Sequence, residues 1–157
     1  MIEVTAATLA AHPFLRGMPA SALDELASFA SVVAFPPGRR IFEDGGYADK
    51  FWLVQSGHVA LDMYVPGEGP VFIDTVGMGE PLGWSSLFPP YRWAFGAVCV
   101  SGLETFEFEA AAARERCAAD AALGYEFTRR LVPILAKRLQ GTRARLITRS
   151  PGRVDLC

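Results

Sequence analysis

The chain has 157 residues, 51% of them hydrophobic and 20% charged, with a formal net charge of −2. That length suits one domain, or one domain with a helical extension, and the composition excludes a disordered chain. No apolar run reaches the ~18 residues that span a bilayer, and Met1-Ile2-Glu3-Val4 places no basic stretch ahead of an apolar one, so no membrane segment or signal peptide is expected and the location is expected to be cytoplasmic. Cys99, Cys117 and Cys157 lie far apart without C-x-x-C spacing, and His12 and His58 are isolated. Reduced thiols are expected, and no metal.

In chain order, Thr5 to Ala11 reads as a short alanine-rich helix broken by His12-Pro13, since a proline disfavours helix in the residue before it. A second helix starts after Pro19, with Ser21 as its expected cap, Asp24 three residues on, and Leu23, Leu26 and Ala30 as its apolar side. From Ser31 to Phe108 short apolar runs alternate with turn signals. Strands are expected at Val32–Phe35, Arg40–Phe42, Phe51–Val54, His58–Val65, Val71–Val76, Trp93–Val100 and Leu103–Phe108. Ala110 to Ala119 is helical again, and Asp120 caps a longer helix. There Phe127, Leu131, Ile134, Leu135, Leu139, Thr142 and Leu146 recur at spacings of three and four, with Pro133 expected to bend the helix. The fold class is α+β: an antiparallel, jelly-roll-like β-roll flanked by N-terminal helices and one long C-terminal helix. The expected divisions are 1–120 for roll and leading helices, 121–149 for the long helix and 150–157 for a tail.

Two segments carry chemistry. Gly45-Gly46-Tyr47-Ala48-Asp49-Lys50-Phe51-Trp52-Leu53-Val54-Gln55-Ser56-Gly57-His58-Val59 sets paired hydrophobics between glycine turns. Gly79-Glu80-Pro81-Leu82-Gly83-Trp84-Ser85-Ser86-Leu87, followed by Arg92-Trp93-Ala94, sets a glycine turn before a short helix and an arginine beyond it. Backbone N–H groups at such a turn attract anions, and an arginine adds a charged fork. Together these segments resemble the roll hairpin and phosphate-binding cassette of cyclic nucleotide-binding domains. The resemblance extends from about Pro13 to Leu146. It implies a cyclic nucleotide as ligand, no other cofactor, and Gly83, Trp84, Ser85, Ser86, Arg92 and Trp93 at the site.

The departures are as informative. Gly46 stands where the family carries an acid, Trp84 where it carries a ribose-binding glutamate, and Trp93 where it carries a small phosphate donor. Two indoles replace hydrogen-bonding groups and bring roughly 200 Å² of mostly apolar surface each. Either they fill the pocket or they line one for a different ligand. In the long helix, Arg138-Leu139-Gln140-Gly141-Thr142-Arg143 resembles the dimerisation helix of catabolite activator proteins; Thr142 matches an adenine-contacting threonine, and Arg143 departs from the serine after it.

Charge is uneven: residues 1–120 hold 7 basic and 15 acidic groups, and residues 121–157 hold 8 and 2. A basic, solvated helix face opposite an apolar seam accounts for it, and the seam is expected to pair with a second copy as a homodimer. The eight residues after the helix are too few for a helix-turn-helix reader, which needs about 50, so DNA binding is not expected of this chain alone. The reading is a non-enzymatic regulatory module acting on a separate effector protein, binding a cyclic nucleotide weakly, another anion, or nothing. The alternative is a ligand-free interaction scaffold. A cupin-like enzyme would need a histidine-rich metal set that His12 and His58 do not supply.

Overall fold

Local capping chemistry sets the first elements. The Thr5 hydroxyl accepts from the Thr8 amide at 3.2 Å and starts α1 (Ala6–Ala10), after which His12 leads into a 3₁₀ segment, Pro13–Leu15. α2 (Ala20–Ala27) differs from expectation: Pro19 itself occupies the cap position in an extended conformation, so Ser21 falls inside the first turn and no side chain caps the helix. The structure, a computed structural model, describes residues 3–149; the expected tail and Cys157 lie outside them.

Eight strands follow: β1 (Ala30–Phe35), β2 (Arg40–Phe42), β3 (Lys50–Ser56), β4 (Val59–Val65), β5 (Gly69–Val76), β6 (Pro81–Leu82), β7 (Gly96–Cys99) and β8 (Leu103–Glu109). They form two antiparallel four-stranded sheets, ordered β1-β8-β3-β6 and β2-β7-β4-β5. α3 (Ala110–Ala119) and α4 (Ala121–Arg149) follow the roll. The expected class holds, but the strand foreseen from Trp93 begins only at Gly96.

β3 shows how the layers are built. Phe51, Trp52, Leu53 and Val54 are all buried, as in a strand covered on both faces. Successive side chains divide between two cores. Phe51 and Leu53 join Leu9, Phe14, Leu26 and Phe127 under the helices. Trp52 and Val54 join Phe42, Val59, Leu61 and Trp93 between the sheets. His12 pins the leading helices to this strand: its Nε2–H donates to the Val54 carbonyl at 2.7 Å, while Nδ1 accepts from the Phe14 amide at 3.2 Å. The ring is thus a neutral core histidine, and burial lowers its pKa. Burial likewise pushes the Cys99 and Cys117 thiols up.

Asp120 caps α4 as expected, its Oδ1 accepting from the Ala122 and Leu123 amides at 3.1 and 3.3 Å. The helix continues through Pro133 to Arg149. Its apolar stripe is not one continuous seam. Leu123, Phe127 and Leu131 are buried, with Phe127 edge-on to Phe14 and Phe51 at 5.5 and 5.3 Å. Leu139 and Leu146 are 52% and 63% exposed. The correction has a simple cause: the outer face of the β1-β8-β3-β6 sheet carries four large apolar side chains, Phe51, Leu53, Phe106 and Phe108, and the first half of α4 helps to cover them.

Candidate functional site: a groove beneath the last helix

The glycine turn that begins the cassette is closed to other residues. Gly83 has φ +85°, and a β-carbon there would lie 3.0 Å from the Trp93 ring and 3.1 Å from the Trp52 ring. It opens a short 3₁₀ helix, Trp84–Leu87. Ser85 and Ser86 are buried in it, and the Ser86 hydroxyl donates back to the Gly83 carbonyl at 2.8 Å. Arg114 of α3 holds this turn from behind. Its Nη1 donates to the Ser86 carbonyl at 2.6 Å, and its guanidinium lies 4.2 Å over the Tyr91 ring.

Arg92 and Trp93 go opposite ways. Their segment pairs with the Gly45–Ala48 turn: the Trp93 amide donates to the Gly46 carbonyl at 2.9 Å, and the Ala48 amide to the Tyr91 carbonyl at 2.8 Å. Neighbours in an extended segment face opposite sides. Trp93 turns inward, 5% exposed, and stacks at 3.9 Å on Phe42 and 5.9 Å on Trp52. Arg92 turns outward, 5.9 Å over the exposed Tyr47 ring. A β-carbon at Gly46 would sit 3.3 Å from the Trp93 indole, so the glycine in place of the acid and the buried indole form one rearrangement. Arg92 is therefore not brought to the turn made by Gly83, Ser85 and Ser86. The sequence held the signal: two adjacent residues of a strand-like segment cannot both face in, and the indole has far more apolar surface to bury.

Trp84 and Thr142 do meet, across a groove of about 550 Å³. Leu61 and Met63 of β4 and Val71 and Ile73 of β5 form one wall. Trp84 lines it too, half-buried and edge-on to Phe95 at 5.8 Å. Leu135, Leu139, Thr142 and Leu146 of α4 form the opposite wall. The Thr142 hydroxyl donates to the Arg138 carbonyl at 2.9 Å, within its own helix.

The charges of this groove were missed as site residues. Arg138 bridges two acids, with Nη1 3.1 Å from Asp74 Oδ2 and Nη2 3.0 Å from Glu80 Oε2. Arg145 adds an Nη2 contact to Asp74 at 3.5 Å and donates to the Ile73 carbonyl. Two basic residues assigned from sequence to a solvated helix face thus pair with the acidic roll; the opposite charges of the two segments were the available clue. Elsewhere on α4, Arg130 and Arg129 both bond Glu126 and hold its carboxyl below the usual range.

The architecture is a two-sheet roll with a glycine-turn cassette and a groove closed by a terminal helix. The chain belongs to the cyclic nucleotide-binding domain family, whose model matches residues 32–120. The CRP-like cAMP-activated global transcriptional regulator of Mycobacterium tuberculosis is 26% identical over 150 residues, covering 93% of this chain and 65% of the relative, so the chain spans just under two-thirds of that protein. A Geobacter metallireducens GS-15 protein provisionally named as cyclic nucleotide-binding superposes with a TM-score of 0.77 at 25% identity, covering 88% of this chain and 99% of that one. A cyclic nucleotide-binding domain from Methylobacillus flagellatus KT gives 0.76 at 20% identity, covering 87% and 77%. Among the described residues no helix is long and apolar enough to cross a membrane, and no three His, Cys, Asp or Glu side chains are grouped to hold a metal ion.

Proposed function

We propose that this domain is a non-enzymatic regulatory module in which the groove beneath α4, rather than a cyclic-phosphate clamp, is the responsive element. The family membership supports the regulatory reading. The observation that carries the departure is the outward turn of Arg92, with Trp93 packed behind Gly83 in its place. An anion at the cassette would meet Arg92 turned away, the Arg114 guanidinium engaged by the Ser86 carbonyl and the Ser86 hydroxyl by the Gly83 carbonyl. The guanidinium groups at the groove, Arg138 and Arg145, are paired with Asp74 and Glu80.

Signalling then rests on α4. Its first half is fixed in the core by Phe127 and Leu131, while its second half closes the groove through Leu135, Leu139 and the Arg138 bridge. A ligand that fits under the second half shifts the balance between two placements of that half-helix by its differential affinity for them. A separate effector protein, or a second copy pairing over the exposed Leu139, Leu146 and Ile147, would read the change. Titrating cyclic AMP and cyclic GMP to millimolar while following tryptophan emission tests the reading. No saturable change is expected; micromolar binding lost in Arg92→Ala contradicts it.

A further inference from the structure

Resting on that reading, we propose that the groove beneath α4 takes an uncharged, apolar small molecule with an aromatic or hydrocarbon skeleton. Its volume, about 550 Å³, lies in the ordinary range of small-molecule pockets, roughly 300–1,000 Å³. What distinguishes it is the placing of polarity. The walls are hydrocarbon and indole, with Leu61, Ile73 and Trp84 facing Leu135 and Leu139. Thr142 spends its hydroxyl on its own helix.

The charges that line it, Arg138, Arg145 and Asp74, form with Glu80 a neutral set of two cations and two anions. One donor of this set, the buried Arg138 Nε–H, has no partner among the described residues. Apart from it, a carboxylate or phosphate entering the groove would have to displace Asp74 or Glu80 from its arginine, or stay unpaired among apolar side chains, and both are costly. An uncharged ligand incurs neither cost and gains from covering apolar surface.

The test uses the neutral fluorescent probe N-phenyl-1-naphthylamine with the whole chain, displaced by decanol, decanoate or cyclic AMP. Saturable probe binding is expected, with decanol displacing it at least about tenfold more effectively than decanoate at pH 8, the tenfold corresponding to 1.4 kcal/mol. Leu139→Trp, which fills the groove from a half-exposed position, should abolish binding while circular dichroism stays unchanged. Asp74→Asn removes one carboxylate from the neutral set and should narrow or reverse the decanol preference. Absence of saturable binding, binding undiminished in Leu139→Trp, or equal displacement by decanol and decanoate overturns the inference. Displacement of the probe by micromolar cyclic AMP overturns both this inference and the functional reading beneath it.

Discussion

The two sides of the cassette have taken the same kind of replacement to opposite ends. Behind Gly83, Trp93 is packed between the sheets against Phe42 and Trp52. In front, Trp84 stays half-buried against Phe95 and lines an open groove. One indole has become core and the other has become wall. The difference comes from neighbours: Gly46 and Gly83 leave room for the Trp93 ring, and a β-carbon at either position would crowd it. A tryptophan at a position where the family carries a polar residue therefore does not by itself mean filled space, because the space that is filled and the space that remains are on different sides of one turn.

The strongest way to break this comparison is truncation of the two rings. Trp93→Ala should cost about 3–5 kcal/mol in urea denaturation, as for other buried aromatics. Trp84→Ala should cost only about 1–2 kcal/mol, because less of its surface leaves water. Equal losses would contradict the division into core and wall. Next in size is the bridge over the groove. Arg138→Ala should cost about 1 kcal/mol, discounted because its carboxylate partners are partly exposed. It should also raise amide hydrogen exchange around Leu139–Leu146 while leaving Phe127–Leu131 protected; uniform protection would show that the bridge does not hold the half-helix.

A smaller effect sharpens the contrast between the packed side and the open one. Unfolded His12 takes up a proton near pH 6.5, and the buried ring resists it. Below that pH the unfolded chain binds more protons, so stability should fall as pH drops from about 6.5 toward the lowered folded value. Urea midpoints at pH 7.5 and 5.5 would show it, and His12→Gln should flatten that part of the slope. Smallest of all, Arg92→Ala should shift stability by no more than about 0.5 kcal/mol, as for a surface change without buried partners. A larger loss, or a changed ligand response, would place the guanidinium somewhere other than over Tyr47.

Much of the fold was legible because it follows from period and punctuation. The glycine turns between short apolar runs marked the strands, and Asp120 marked the start of α4. The site was legible only in part. The resemblance pointed to Gly83, Trp84, Ser85, Ser86 and Thr142, of which Trp84 and Thr142 line the groove, but side-chain direction could not be carried over once Trp93 replaced a small residue. The division of the α4 stripe was not legible for a related reason. Phe127, Leu131 and Leu139 share one stripe, yet only tertiary packing decides that the first two join the core while the third faces the groove. Asp74 and Glu80 are separated in sequence from Arg138 and Arg145 by about 60 residues or more, and nothing local joins them.

The most direct test of the central claim compares the two indoles one at a time, in proteins where Trp52 and the other tryptophan are replaced by phenylalanine. With Trp93 alone, emission should be blue-shifted, nearly unquenched by acrylamide, and unaffected by cyclic AMP or the naphthylamine probe. With Trp84 alone, acrylamide should quench readily and the probe should protect. Equal quenching of the two, or a Trp93 signal that responds to micromolar cyclic AMP, would contradict the account.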